Sequence, residues 1–238
     1  MRIALIGYGK MGKAIERIAL THGHEIVLKI DLDNGHEMTP ENLSKADVAI
    51  EFTGPASAAE NLLTCADAGI RVVCGSTGWL ERIDEVRNAF VKKGTAFIYA
   101  SNFSIGVNIF FELNRKLASM MATHPEYSVE MKEIHHTQKK DAPSGTAISL
   151  AEQIQAEISS LKTWVNRPGK DPSELPIISE RVDPAPGTHF VKYHSAVDDV
   201  EIIHTAHSRD GFAGGAVLAA EYIHGKKGIF TMKEVLGF

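Results

Sequence analysis

The chain has 238 residues, of which 44% are hydrophobic, and its formal net charge is -5. This length allows one large domain or two modest ones with a packed core. The 25 basic residues are scattered and outnumbered by 30 acidic ones, which argues against a nucleic-acid-binding protein, because phosphate binding needs clustered cations. We therefore expect small-molecule partners, with no nucleic-acid and no membrane partner.

No apolar run approaches the roughly 20 residues that span a bilayer, and the first residues show no signal-peptide cleavage site. We therefore expect a cytoplasmic protein.

Cys65 and Cys74 lie in apolar segments without a CxxC motif, so we expect packed thiols rather than a disulfide or a metal site.

The first hundred residues alternate between strand and helix patterns. Short apolar runs predict strands at residues 2–6, 25–31, 46–52, 71–75 and 95–100, and residues at helical spacing separate them. Strands that alternate with helices are typical of a parallel sheet with right-handed crossovers. The expected fold class of this part is an α/β Rossmann-type dinucleotide-binding domain.

The pattern changes after Asn102. The sequence predicts helices at 106–122 and 145–161, a strand at 127–135, and paired strands at 189–196 and 198–206. Residues 166–187 hold five of the nine prolines and predict a loop with at most a short strand at 177–182. This region is expected to form a smaller α+β domain with a mixed sheet.

A helical pattern returns at residues 216–225, with Gly225 as its C-cap. We expect this helix to pack back on the first region. The predicted organisation is a dinucleotide-binding domain of residues 1–102 plus 209–238. Residues 103–208 are expected to form a substrate-binding and oligomerisation domain.

The segment GYGKMG places Gly7, Gly9 and Gly12 in GxGxxG spacing, directly after the first strand and at the start of a helix. Gly7 allows a tight turn, Gly9 lets the backbone approach a pyrophosphate, and Gly12 lets the helix pack close to the strand. Asp31 ends the second strand, where a carboxylate accepts hydrogen bonds from an adenosine ribose. The alternative is a structural glycine turn that binds no nucleotide.

The cofactor preference stays open at this point. Asp31 favours NADH, because its charge would repel a 2′-phosphate and the following Leu32 offers no basic partner. Lys10 and Lys13 keep NADPH in consideration. We expect NADH or NADPH, with NADH mildly favoured.

Three further loops end predicted strands, namely FTGP (52–55), GSTG (75–78) and ASNFS (100–104). Ligands bind at the carboxyl ends of strands in an open parallel sheet. As isolated loops, all three would be ordinary turns, and only their position at strand ends favours ligand binding.

The segment EIHHTQKKDAPSGTA (133–147) combines two histidines, two lysines and an aspartate with a Ser-Gly-Thr helix opening. His135 and His136 end a predicted strand, and Lys139 follows within one short loop. Proton donors and acceptors would converge beside a helix N-terminus that can hold a carboxylate. The alternative is a solvated, charged surface segment.

This segment resembles the signature of the 4-hydroxy-tetrahydrodipicolinate reductase (dihydrodipicolinate reductase) family of diaminopimelate and lysine biosynthesis. In that family, Glu-x-His-His is followed, at the third position after the second histidine, by Lys-x-Asp-x-Pro-Ser-Gly-Thr-Ala. The resemblance extends to the glycine turn, the three loops and HSRDGFAGGAV (207–217). It implies an NAD(P)H-dependent oxidoreductase that reduces 4-hydroxy-tetrahydrodipicolinate to tetrahydrodipicolinate, assembled as a homotetramer.

The resemblance also implies residue roles. His135 matches the acid/base histidine and Lys139 the proton-donating lysine of the family, and no metal is expected. The substrate-binding residues implied are His136, Ser144, Gly145 and Thr146. The cofactor-binding residues implied are Gly7, Tyr8, Gly9, Lys10, Met11, Gly12, Asp31, Gly75, Ser76, Thr77, Ala100, Ser101, Asn102, Phe103, Arg209 and Phe212.

Two departures from the family pattern affect these expectations. The family turn usually reads GxxGRMG, whereas this chain has the shorter GYGKMG with Lys10 in place of arginine, which obscures the cofactor preference. Thr137 and Gln138 stand where some relatives carry basic residues, so substrate contacts there are expected to be weaker.

Two other functions remain as alternatives. A different two-domain amino-acid or sugar dehydrogenase would share the glycine turn but would not require His135, Lys139 and the Ser-Gly-Thr opening together. A nucleotide-sensing binding protein that has lost catalysis is disfavoured by the intact His and Lys pair.

Overall fold

The computed structural model describes residues 1–208 and 210–238. The chain divides into two compact units, the first formed by Met1–Ile105 and Arg209–Phe238 and the second by Gly106–Ser208. The strands are β1 (Arg2–Ile6), β2 (Glu25–Ile30), β3 (Val48–Glu51), β4 (Arg71–Cys74), β5 (Ala96–Tyr99), β6 (Ser128–His135), β7 (Thr163–Val165), β8 (Glu174–Arg181), β9 (Gly187–His194), β10 (Asp199–Ala206) and β11 (Gly228–Phe230). The helices are α1 (Lys10–Thr21), α2 (Pro40–Leu43), α3 (Ala58–Asp67), α4 (Ile83–Lys93), α5 (Ile105–Met121), α6 (Gly145–Glu157), α7 (Asp210–Ile223) and α8 (Met232–Leu236), with 3₁₀ turns at Leu32–Glu37 and Leu80–Arg82.

The first unit is built on a six-stranded parallel sheet in the order β11-β5-β4-β3-β1-β2. The strands β1, β3, β4 and β5 are mostly apolar on both faces, as a sheet covered by helices on both sides requires. Leu62 of α3 and Phe90 of α4 pack on one face, and Ile15 of α1 and Val217 of α7 pack on the other. The Rossmann-type prediction is confirmed.

The second unit contains a five-stranded sheet in the order β10-β9-β6-β8-β7. Strands β6, β9 and β10 pair antiparallel, whereas β8 runs parallel to both β6 and β7, so the sheet is mixed as predicted. Phe110 of α5 and Leu150 of α6 pack against Met131 and Val191 on one face. Alternation along β6 places Glu133 and His135 on this covered face.

Within the predicted loop at 166–187, the strand is longer than the short one expected at 177–182. Residues Glu174–Arg181 form the eight-residue strand β8, in which Leu175 and Ile177 alternate inward. Pro176 lies at a position where the strand pairs with Val165 of β7. In the same unit, helix α6 ends at Glu157, four residues before the predicted end at residue 161. Strands β7 and β11 and helix α8 were not predicted.

The two cysteines are packed in the core of the first unit, as expected. Cys65 and Cys74 are buried and free, and burial raises the pKa of both thiols. Within the described residues, the helices are not long and apolar enough to cross a membrane.

Candidate active site

Strand β6 and helix α6 bring the predicted catalytic segment of the second unit together. Strand β6 ends at His135, and α6 begins at Gly145 after a short connection. Ser144 caps α6, because its hydroxyl accepts a hydrogen bond from the backbone N–H of Ala147 at 3.2 Å. Nine residues (136–144) thus connect the end of the strand to the start of the helix.

Glu133 is the centre of this cluster and is completely buried. Its Oε1 accepts hydrogen bonds from the backbone N–H of Ser144 and from Nη2 of Arg181, both at 3.1 Å. Its Oε2 lies 3.1 Å from Nδ1 of His135, within ion-pair distance but poorly aligned for a hydrogen bond. One carboxylate thus joins β6, β8 and the N-cap of α6.

His189 of β9 completes the cluster. Its Nε2 lies 3.2 Å from Oγ of Ser144 and 3.9 Å from Oε2 of Glu133. Its ring meets that of His135 edge to face, with centroids 5.2 Å apart. Beside them, Gly187 leaves room for His135, because a Cβ at that position would lie 3.0 Å from Nε2 of His135.

The protonation states follow from burial and contact. Burial opposes ionisation of Glu133, but the nearby Nδ1 and charge of His135 and the hydrogen bond from Ser144 outweigh it, so the pKa of Glu133 lies well below its ordinary value. Burial, together with the charge of His135, lowers the pKa of His189 to about 4. At neutral pH the cluster therefore holds a carboxylate beside an uncharged His189.

Lys139 and His136 lie on the connection outside this cluster. Nζ of Lys139 donates to both carboxylate oxygens of Asp141 at 2.9 Å, and His136 is half-buried. The charge of Lys139 is therefore balanced by a neighbouring carboxylate. On the same connection, Thr137 donates its backbone N–H and its hydroxyl to Asp183, at 3.0 and 2.5 Å.

The N-terminus of α6 is open to a ligand. Gly145 is exposed, and a Cβ there would meet nothing within 4 Å. The first turn of the helix contains no acidic residue. Backbone N–H groups at such a helix end attract anions, so this end can hold a carboxylate.

Sequence reasoning found His135 and Ser144 but missed two members of the cluster. His189 was read only as part of a strand, and Arg181 lies in the segment predicted as a loop with at most a short strand. Alternation along HFVKYHSA could have placed His189 on the covered face, because Val191 and Tyr193 share its parity. Arg181 gave no such signal, since its partner Glu133 is 48 residues away.

The glycine turn of the first unit lies at the carboxyl end of β1. Gly7 has φ +92°, and a Cβ there would lie 2.1 Å from the carbonyl oxygen of Phe52. A Cβ on Gly12 would lie 2.3 Å from the carbonyl oxygen of Gly7, so only glycine allows α1 to approach the turn. Gly9 is exposed and a Cβ there would meet nothing within 4 Å, and α1 has neither a side-chain N-cap nor an acidic first turn.

Tyr8 and Asp31 are held by local contacts beside this turn. The Tyr8 hydroxyl donates to Glu16, whose Oε1 lies 2.5 Å from Nζ of Lys29. Asp31 caps the 3₁₀ turn, since its Oδ1 accepts from the backbone N–H of Leu32 at 3.0 Å. Part of the Asp31 carboxylate is therefore used within the chain.

Two more loops with predicted cofactor residues lie at the same edge of the first sheet. Residues 75–77 follow β4 and residues 100–103 follow β5. Phe103 is buried against Phe52, with ring centroids 5.9 Å apart, and Phe212 is half-buried in α7. Arg209 lies outside the described residues.

Two groups of described residues place possible metal ligands within 4.8 Å of one another. One group is Glu133, His135 and His189, and the other is His22, His24 and Glu221. In the first group the Arg181 guanidinium already neutralises Glu133, which disfavours a second cation.

Comparison with known proteins identifies relatives over the whole chain. A family model described as "Dihydrodipicolinate reductase, N-terminus" matches residues 1–103, and "Dihydrodipicolinate reductase, C-terminus" matches residues 106–236. The chain is 53% identical over 237 residues to the 4-hydroxy-tetrahydrodipicolinate reductase of Christiangramia forsetii, covering 99% of this chain and 98% of the relative. It is 35% identical over 249 residues to the enzyme of the same name from Methanocorpusculum labreanum, covering 96% of each chain.

Solved structures agree on the fold. A dipicolinate-bound dihydrodipicolinate reductase from Paenisporosarcina sp. TG-14 superposes with a TM-score of 0.78 at 24% identity over 98% of both chains. An amine dehydrogenase from Mycobacterium smegmatis superposes with a TM-score of 0.62 at 13% identity, covering 98% of this chain and 95% of the other. At these identities the similarity shows the architecture alone.

Proposed function

The chain belongs to the dihydrodipicolinate reductase family, and we propose that the buried residues around His135 carry the reaction of this family. The chain reduces 4-hydroxy-tetrahydrodipicolinate to tetrahydrodipicolinate by hydride transfer, a step of diaminopimelate and lysine biosynthesis. The observation that carries the proposal is the contact between buried Glu133 and His135 beside the N-terminus of α6. We assign substrate binding to the second unit and dinucleotide binding to the first.

His135 is the proposed acid/base. Hydride addition to a conjugated cyclic imine leaves negative charge on the ring, which a proton must neutralise. The Glu133 carboxylate beside Nδ1 stabilises the charged imidazolium, so His135 can give up a proton and regain one without leaving its place. The missing side chain at Gly187 leaves space at Nε2 for the exchanging proton.

Lys139 is the proposed second proton donor and the cation beside the developing charge. A fixed ammonium stabilises an anionic transition state more than it stabilises the ground state, and this difference lowers the barrier. Asp141 holds this ammonium on a mostly exposed carboxylate, so a dianionic substrate competes with Asp141 for Lys139.

The substrate carboxylates are proposed to bind at two places. The open N-terminus of α6 offers one, through the backbone of Gly145 and the backbone and hydroxyl of Thr146, with Ser144 holding the helix end in place. His136, with Lys139 or Lys140, offers the other.

The proposed roles are tested with NADH and freshly prepared 4-hydroxy-tetrahydrodipicolinate. His135→Gln and Lys139→Ala should each bind NADH with the wild-type Kd and lower kcat about 100-fold or more, within the range that acid–base groups supply. His124→Gln, an exposed histidine after α5, is the matched control and should keep the wild-type rate. Wild-type kcat in both site variants would refute the assignment.

The first unit fits a nicotinamide dinucleotide. The glycine turn leaves Gly9 open at an uncapped helix N-terminus, which is the arrangement that receives a pyrophosphate, and when bound the reduced dinucleotide supplies the hydride. The residues proposed to line the dinucleotide are the cofactor-binding residues that the resemblance to the family implies, the first of which is Gly7 and the last Phe212. The need for a reduced dinucleotide also favours a cytoplasmic location, where these cofactors are abundant.

NADH is the proposed preferred cofactor. A 2′-phosphate would approach Asp31, whose following residue Leu32 is almost fully exposed and uncharged. Lys29 is the cation two residues before Asp31, but its ammonium contacts Glu16, and this contact raises the pKa of Lys29 and lowers that of Glu16. A lysine already neutralised by a carboxylate adds little to phosphate binding.

A homotetramer built on the second unit's sheet is the proposed assembly. The sheet face away from α5 and α6 carries Ile203, Phe190, Lys132 and Ile178 in one register row across four strands. Ile203 is 52% exposed although it is apolar. Burying this row against another copy would remove apolar surface from water.

A further inference from the structure

Glu51 is a second fully buried carboxylate, and it lies in the first unit at the end of β3. It stands outside the cluster around His135, and neither the glycine turn nor Asp31 explains it. A buried carboxylate is costly unless its oxygens are hydrogen-bonded, so the donors that surround it define what it holds.

Those donors come from two loops at the carboxyl edge of the sheet. Oε1 accepts from the backbone N–H of Thr53 at 3.1 Å, from the Thr53 hydroxyl, and from the Ser76 hydroxyl at 3.1 Å. Oε2 accepts from Sγ of Cys74 at 3.1 Å. Ser76 also accepts a hydrogen bond from the Thr53 backbone N–H at 2.8 Å, which links the loops directly.

The same two loops are packed too tightly to slide past one another. A Cβ on Gly75 would lie 2.2 Å from the Phe52 ring, and a Cβ on Gly78 would lie 2.9 Å from Pro55. The Trp79 indole donates to the carbonyl oxygen of Ser76 at 2.7 Å. These contacts, together with the hydrogen bonds to Glu51, therefore set the position of both loops.

The sheet order shows which half of a dinucleotide these loops would meet. Asp31 follows β2 at one side of β1, and the loops after β3 and β4 lie at the other side. A dinucleotide that places its pyrophosphate at the β1 turn and its adenosine toward β2 extends its nicotinamide half over β3 and β4.

We propose that Glu51 is a positioning residue that ties residues 52–54 to residues 75–77 and so shapes the surface that receives the nicotinamide half of the cofactor. The inference rests on the proposed binding of a dinucleotide along this edge. Glu51 acts through the loops, because both of its oxygens accept hydrogen bonds from Thr53, Cys74 or Ser76.

The test compares a whole cofactor with its adenosine half. Glu51→Ala should raise the Kd of NADH about tenfold or more, measured by titration calorimetry, while the Kd of ADP stays within about twofold of wild type. Glu51→Gln keeps an acceptor oxygen for Thr53 and Ser76 and should restore NADH binding to within about threefold. Glu60→Gln, at an exposed glutamate of α3 that pairs with Arg82, serves as the matched control and should bind both ligands as the wild type does.

Thr53→Val removes one hydroxyl donor while keeping the shape, and it tests the proposal if Glu51→Ala does not fold. It should raise the NADH Kd about threefold and leave ADP binding unchanged. An unchanged NADH Kd in Glu51→Ala, an equal rise for ADP and NADH, or a Glu51→Gln variant as weak as Glu51→Ala would each overturn the proposal. Failure of the proposed function would appear separately, as wild-type protein that does not bind NADH.

Discussion

Replacing His189 with glutamine should reduce the loss of stability that the second unit suffers on acidification. Burial lowers the pKa of His189 to about 4, whereas an unfolded histidine titrates near 6.5. Between these values the unfolded chain binds more protons than the folded one, so the free energy of unfolding falls as the pH drops from about 6.5 toward 4. Glutamine carries no titrating group and retains a polar atom near Ser144.

The size of the effect follows from the pKa difference. Each pKa unit corresponds to about 1.4 kcal/mol, so a difference of about 2.5 units limits the loss to about 3 kcal/mol at pH 4. About 2 kcal/mol of it should appear between pH 7 and pH 5.

The measurement is urea unfolding at pH 7, 6 and 5, followed by the fluorescence of Trp164 in β7. All variants carry Trp79→Phe, so that the signal reports on the second unit. His36→Gln, an exposed histidine of the first unit, is the matched control and should keep the wild-type dependence. If His189→Gln loses as much stability between pH 7 and pH 5 as the wild type, the buried neutral imidazole is not the cause.

Three further outcomes follow from the same contacts. Glu133→Gln should keep the fold, by circular dichroism, and lower kcat about 100-fold, because the imidazolium of His135 loses its carboxylate; a wild-type kcat would contradict the role of Glu133. Glu16→Gln should release Lys29 from its ion pair and tighten NADPH binding about threefold relative to NADH. The double variant with Lys29→Gln should cancel this change. An unaltered ratio of the NADPH and NADH Kd values in Glu16→Gln would refute the argument. Ile203→Glu should produce smaller assemblies in light scattering, whereas an unchanged mass would exclude this sheet face from the interface.

The catalytic segment and the glycine turn could be predicted from the sequence because each consists of residues that are close together along the chain. Gly7, Gly9 and Gly12 act within one turn of chain, and their spacing reports directly on backbone geometry. His135 and Ser144 lie on one short stretch whose strand and helix opening both have clear patterns. The structure places these two residues in one cluster, as the spacing suggests.

Asp31 shows a limit of such reading. Its position after β2 was predicted correctly, but its carboxylate also caps the following 3₁₀ turn and forms a capping box with Asn34. The pairing of Lys29 with Glu16 was equally invisible, because those residues are thirteen positions apart on a strand and a helix.

The sequence alone determined the class of fold, the position of the glycine turn and the segment that holds the proton donors, because periodicity and short motifs express local backbone preferences. Only the tertiary structure decided that Glu133 is fully buried, that His189 and Arg181 join it, and that Glu51 holds two loops together. Burial and long-range hydrogen bonds depend on which strands become neighbours. Strand β8 is the clearest case, since its hydrogen-bonding partners lie on β6 and β7 and cannot be identified from its own proline-rich sequence.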